Sequence, residues 1–130
     1  MTVHRRGLRR RRGDGLCRSV VLHRAQRFDV GETIARVLTR VNAITLGGPG
    51  YTRPSYSDEE SAAHAVIEDE ARALGLEVRR DPAGNLFARL AGRDPAAVPL
   101  YVGSHLDTVS QGGAYDGQAG VAGGLALIAA

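Results

Sequence analysis

Residues 100–117 read LYVGSHLDTVSQGGAYDG, and this stretch decides how the rest of the chain is understood. Leu100 to Ser104 form a short, largely apolar run after Pro99, the pattern of a buried strand. Side chains alternate along a strand, so His105 and Asp107, at its carboxyl end, share one face. Open α/β sheets place their sites at that end. Asp116 stands just before a helix start near Gln118, and Gly112, Gly113 and Gly117 permit the tight loop that returns it toward His105. One imidazole with two carboxylates suits a divalent hydrolytic metal such as zinc or manganese. Spacing alone leaves a plainer alternative open, in which His105 and Asp107 are polar groups satisfied at a strand end.

Working outward, the third helix carries Val121, Leu125 and Ile128 on one side, with Gly120, Gly123 and Gly124 allowing close packing. The sequence stops at Ala130 inside this apolar pattern, without a Gly or Asn stop or a basic last turn, so the chain reads as the amino-terminal piece of something longer. Upstream, Leu76–Arg80 and Asn85–Leu90 read as strands joined by the turn Asp81-Pro82-Ala83-Gly84. Before them a helix opens at Ser57, with Glu60 at the capping-box position, and buries Ala63, Val66, Ile67, Ala71 and Leu74 before Gly75 ends it. Gly47 to Pro54 reads as loop. The first helix is capped by Asp29, with Glu32 three residues on, and carries the stripe Val30, Ile34, Val37, Leu38 and Val41. Helix, helix, strand, strand, strand, helix is an α/β or α+β order.

Charge divides the chain. All 17 basic residues are arginine; residues 1–27 hold nine of them against Asp14, a net +8, whereas residues 28–130 carry a net −5. A uniformly basic nucleic-acid binder is therefore excluded. The arginine-rich head, 1–27, offers only Val20, Val21 and Leu22 to bury, and is expected to be disordered. Three readings of it compete: a phosphate-binding arm, an organelle-targeting peptide, or extra sequence ahead of the true start. The last is adopted, and nucleic acid is not an expected partner. One cysteine, Cys17, excludes an internal disulfide framework and is read as an inert thiol. No apolar run approaches the roughly 18 residues of a membrane span, so the expected setting is cytoplasmic, with no membrane partner.

At Gly103-Ser104-His105-Leu106-Asp107-Thr108-Val109, Gly112-Gly113, Tyr115-Asp116-Gly117 and Gly120-Val121, the chain resembles the metal-binding segment of the dinuclear zinc amidohydrolases. Within them it is similar to the branch of the M20 metallopeptidase-like family that holds N-carbamoyl-L-amino-acid hydrolases, allantoate amidohydrolases and β-ureidopropionases. Tyr56-Ser57-Asp58-Glu59 and the passage from Leu74-Gly75-Leu76 to Asp81-Pro82-Ala83-Gly84-Asn85-Leu86 also resemble this branch, so the likeness covers 28–130 and leaves out the head. The resemblance implies the first part of a three-layer αβα zinc-hydrolase catalytic domain with its sheet incomplete. It implies His105 as ligand to one metal, Asp116 as the carboxylate bridging two, and Asp107 as the catalytic-site acid that orients His105 and tunes its basicity. It further implies two divalent ions, zinc or manganese, a small-molecule substrate with a linear amide, and a homodimer formed through a second, lid-like domain. The glutamate that serves such enzymes as general base, and the remaining ligands, a glutamate and two histidines, fall beyond position 130 in the family pattern. The expectation is thus a partial hydrolase domain that is inactive alone. A related aminopeptidase, or a non-catalytic remnant with a basic nucleic-acid-binding arm, is the alternative.

Other candidates read as structural. His64 sits between alanines on the second helix as a surface or half-buried residue, and His4 and His23 lie in the head without partners. Gly117, Gly120 and Gly123 do not fit a dinucleotide loop. Arg79, Arg80 and Arg89 read as solvated strand-face charges.

Overall fold

The computed structural model describes residues 29–130; the head at 1–27, with Cys17, His4 and His23, lies outside the described residues. The elements are α1 (Val30–Asn42), β1 (Tyr51–Arg53), α2 (Asp58–Ala73), β2 (Glu77–Arg80), β3 (Leu86–Arg89), β4 (Thr108–Gly112) and α3 (Gln118–Ala129). This is the expected mixed α/β class. The strands form two antiparallel pairs, β1 with β4 and β2 with β3. Among the described residues no helix is long and apolar enough to cross a membrane.

Local chemistry sets the helix ends. Asp29 Oδ1 accepts from the Glu32 N–H at 2.8 Å, and Ser57 Oγ from the Glu60 N–H at 3.1 Å, each satisfying an orphan donor of a first turn. The Glu60 carboxylate returns to the N–H of Tyr56, one residue before the cap. At the other end of α2, Gly75 N–H bonds Arg72 O and Leu76 N–H bonds Ala71 O, the paired closure of a Schellman motif around the left-handed Gly75. Asp81 organises the β2–β3 turn by accepting the N–H groups of Ala83 and Asn85 on one carboxylate oxygen. The arginines read as solvated charges on this hairpin find neighbours: Arg79 lies 3.9 Å over the Phe87 ring, Arg80 pairs with Glu68, and Arg89 with Glu77.

The structure corrects the sequence reading at one strand. Residues 100–104 form no strand, and Leu100 and Tyr101 are 89% and 72% exposed. An extended run becomes a strand only against a partner ladder, and among the described residues none lies beside it. The pairing falls instead on β4, which takes as partner β1, a segment expected to be loop. Register shifts between the Tyr51–Gly112 and Arg53–Thr108 pairs, and Gln111 takes a positive φ of 57° in the irregularity. Gly50 is required there, because a Cβ would lie 2.8 Å from the Gln111 carbonyl.

The core joins the three helices to the site. Val37 and Val41 of α1, Ala63, Ile67 and Ala71 of α2, Ala122 and Leu125 of α3, with Leu76 and Leu106, form one buried cluster. The innermost line of α1 is Thr33, Val37 and Val41, while Val30, expected on the buried face, stays largely exposed. Each fully buried Val or Leu contributes about 1.5–3 kcal/mol.

Two charged groups are enclosed with this core. Arg53 is fully buried; its Nε donates to Leu106 O at 2.6 Å, and its Nη1 donates to Ile44 O at 2.7 Å and Val41 O at 3.2 Å. Glu70, on the inner side of α2, receives Arg36 at 3.0 Å and Arg40 at 2.6 Å. Burial pushes the Glu70 carboxyl up, but the hydrogen bonds and charges of Arg36 and Arg40 outweigh it and hold the group below its ordinary 4.5.

Replacing Arg53 by Leu strands the Leu106 and Ile44 carbonyls, while Val41 O keeps the Ile44 N–H, and is expected to cost about 3 kcal/mol in urea unfolding. Arg53→Lys recovers less than half of that, because one ammonium cannot span carbonyls on both sides as the guanidinium fork does; full recovery would refute the fork's role. For Glu70, the folded pKa lies below the unfolded one, so the unfolded state takes up protons first. The stabilisation is complete above the unfolded value of 4.5 and is lost as pH falls through the lower folded value. Because Arg36 and Arg40 are more than a third exposed, Glu70→Gln costs about 1–2 kcal/mol near neutral pH. The gap from wild type closes only in the acid range, and one that stayed constant into acid would contradict this assignment.

Candidate functional site

Leu106 fixes the site by burying its side chain while its neighbours point out. It is 3% exposed within the core, whereas the His105 and Asp107 side chains keep 52% and 34% of their surface. The shared face expected of His105 and Asp107 is present, although the segment is coil and not the end of a strand. Any extended backbone alternates its side chains, and the Arg53 bond to Leu106 O holds this one extended.

His105 Nδ1 lies 3.0 Å from Asp107 Oδ1 and 3.1 Å from the Asp107 carbonyl. Both partners are acceptors, which places a proton on Nδ1 and, in the neutral imidazole, the lone pair on Nε2. Among the described residues Nε2 has no hydrogen-bond partner. The second Asp107 oxygen accepts from Ser55 Oγ at 2.6 Å. That bond and the neighbouring imidazole hold the Asp107 carboxyl below the usual carboxylate range against a smaller upward push from burial. Sequence reasoning missed Ser55, since no spacing rule connects it to an aspartate 52 positions on.

Asp116 arrives by the glycine loop. Asn42, at the end of α1, donates to Ala114 O at 3.0 Å, and Gln118 Nε2 donates to Gly113 O at 3.2 Å and to Asn42 Oδ1 at 3.0 Å. These bonds press Gly117 against the imidazole. A Cβ at Gly117 would stand 2.5 Å from His105 Cε1 and 2.6 Å from its Nδ1, and φ there is +78°. Only glycine satisfies both conditions. Asp116, the residue before it, is exposed, and its carboxylate has no hydrogen bond or ion pair among the described residues.

A cleft of about 440 Å³ is lined by His105 and Asp107 together with Glu60, His64, Arg80 and Asn85; Asp116 is not part of its wall. His64 is half-buried, as expected, with Nδ1 3.3 Å from Arg80. Burial, aided by the Arg80 charge and opposed by Glu60, pulls its pKa down. Among the described residues no group of three or more His, Cys, Asp or Glu is gathered closely enough to hold a metal ion. The donor chemistry at His105 and Asp116 fits a divalent ion in kind. It does not fit in number, because a catalytic zinc takes about three protein ligands.

No family model matches the sequence. Over 90 residues the chain is 39% identical to an N-carbamoyl-L-amino-acid amidohydrolase of Paenarthrobacter aurescens, covering 69% of this chain and 22% of that protein. Over 72 residues it is 43% identical to an allantoate amidohydrolase of Bacillus subtilis, covering 55% of this chain and 18% of that one. A crystal structure of a hydantoinase/carbamoylase family amidase from Burkholderia ambifaria superposes with a TM-score of 0.73 at 34% identity, over 79% of this chain and 25% of that one. The chain thus spans about a fifth of the length of the curated relatives it matches. Sequence and fold agree that it belongs to the hydantoinase/carbamoylase amidase family, with the N-carbamoyl-L-amino-acid and allantoate amidohydrolases.

Proposed function

We propose that this chain carries part of the dinuclear metal centre of an amidohydrolase acting on linear amides of the N-carbamoyl amino acid or allantoate type. The observation that supports it is the His105 imidazole, tied through Nδ1 to Asp107 with Nε2 open, beside the loop that delivers an unpaired Asp116. His105 Nε2 and the Asp116 carboxylate would hold the ions, and Asp107 would orient the imidazole. Bound zinc or manganese would supply polarisation of the scissile carbonyl and a more acidic water. The chain's own part is to aim two donors and to keep the imidazole in the tautomer that can ligate.

The described residues gather fewer donors than a working pair of ions needs. By themselves they therefore bind metal weakly and turn over no substrate. A competition titration with a chromogenic zinc chelator tests the first point: zinc binds the wild type, and His105→Ala and Asp116→Ala each abolish it. Absence of zinc uptake by the wild type removes the metal proposal. Incubation with an N-carbamoyl amino acid tests the second, and turnover at enzyme-like rates by this chain would overturn it.

Gly117→Ala forces a methyl into the imidazole at a backbone angle that disfavours it. Zinc affinity is expected to fall at least about 10-fold, since displacing a ligand's support has that scale. An unchanged affinity would show that the loop can move without disturbing His105.

A further inference from the structure

We propose that Ser55 is a positioning residue for His105, acting through Asp107; the inference rests on the metal-binding role given to His105. Asp107 meets the imidazole with one oxygen only. A carboxylate held at one end rotates readily, because the terminal torsion of Asp is broad, and the imidazole would swing with it. The Ser55 hydroxyl closes the other end at 2.6 Å. The carboxylate plane is then fixed at both oxygens, and it joins the Asp107 carbonyl, 3.1 Å from Nδ1, in holding the ring plane and the Nδ1–H tautomer.

The backbone around Ser55 is built to make that contact. Arg53, two residues earlier, donates its N–H to Thr108 Oγ1 at 2.8 Å and its side chain to Leu106 O at 2.6 Å, so bonds from one residue flank Asp107 on both sides. The chain then turns out of β1: Ser57 N–H bonds Pro54 O at 3.1 Å, Tyr56 takes a positive φ of 59°, and its N–H is held by Glu60. A non-glycine residue in the left-handed region is an unfavourable conformation that persists only when its surroundings impose it. Here those surroundings place the Ser55 hydroxyl over the Asp107 carboxylate. The hydroxyl makes no other hydrogen bond among the described residues, and Ser55 is exposed, so packing supplies no reason for the contact.

The test compares the full 130-residue chain with Ser55→Ala and Ser55→Thr by two measurements. In metal-free protein, above the imidazole's titration range, two-bond proton–nitrogen NMR correlations report the His105 tautomer. The wild type and Ser55→Thr should show Nδ1–H, and Ser55→Ala a mixture. In the zinc competition titration, Ser55→Ala should bind about 10-fold more weakly, the scale for removing an outer partner of a ligand, with Ser55→Thr restored. Unfolding midpoints should agree among the three chains, since a purely structural role would move them and a positioning role does not. A Ser55→Ala chain with wild-type tautomer and wild-type zinc affinity would overturn the proposal. If no variant binds zinc, the metal reading falls, and the tautomer measurement alone decides the role of Ser55.

Discussion

A single buried guanidinium carries the organisation of this chain. Arg53 lies at the meeting point of α1, β1 and the segment that bears His105 and Asp107, and its donors reach carbonyls on both sides. A charged group this far from water is costly, and burial draws its pKa down despite the upward pull of Asp107 and Glu60. The cost is offset because the carbonyls it meets, at the end of α1 and at Leu106, have few other donors to hand. One Nη2 nitrogen remains without a partner, so the arrangement is not a maximally stable one. What it provides is register: with Arg53 in place, β1 faces β4 and Leu106 is drawn inward.

That register explains which parts of the fold were legible in the sequence. Helices announce themselves locally, and Asp29, Ser57 and Gly75 mark the ends where capping chemistry puts them. The Asp81 turn is equally local. The β1–β4 pair is not, because Tyr51–Arg53 is three residues long and lies within a Gly/Pro-rich stretch. Its ladder depends on the buried Arg53 and on Gly50, neither of which has strand character by itself. The apolar run at 100–104 shows the converse. Its composition satisfies the strand pattern, yet among the described residues no neighbouring backbone pairs with it.

The pairing of His105 with Asp107 was legible for a reason that does not depend on the strand. His105 and Asp107 share a face because Leu106 between them is the residue that the core requires. Alternation about an anchored centre is enough, whether or not the backbone belongs to a sheet. The approach of the loop that carries Asp116 was legible through its glycines, since only a residue without Cβ fits against the imidazole at Gly117. Ser55 was not, because its place over Asp107 is made by tertiary contacts alone. The Asn42 and Gln118 amides that hold the glycine loop escaped notice for the same reason.

Charge pairing separates the structural acids from those available for ligation. Glu70 and Glu68 each meet two arginines, and Glu77 meets one. A carboxylate engaged in this way must give up its partners before it can serve a cation. Asp116 has no such partner among the described residues, and Asp107 gives its oxygens to a hydroxyl and an imidazole. An exposed, unpaired carboxylate gives up only its water on binding and has no ion pair to break first. The imidazole beside it already has its proton on the nitrogen away from the open side. The imidazole is thus held in one orientation by Asp107, whereas the Asp116 carboxylate has no partner among the described residues to hold it.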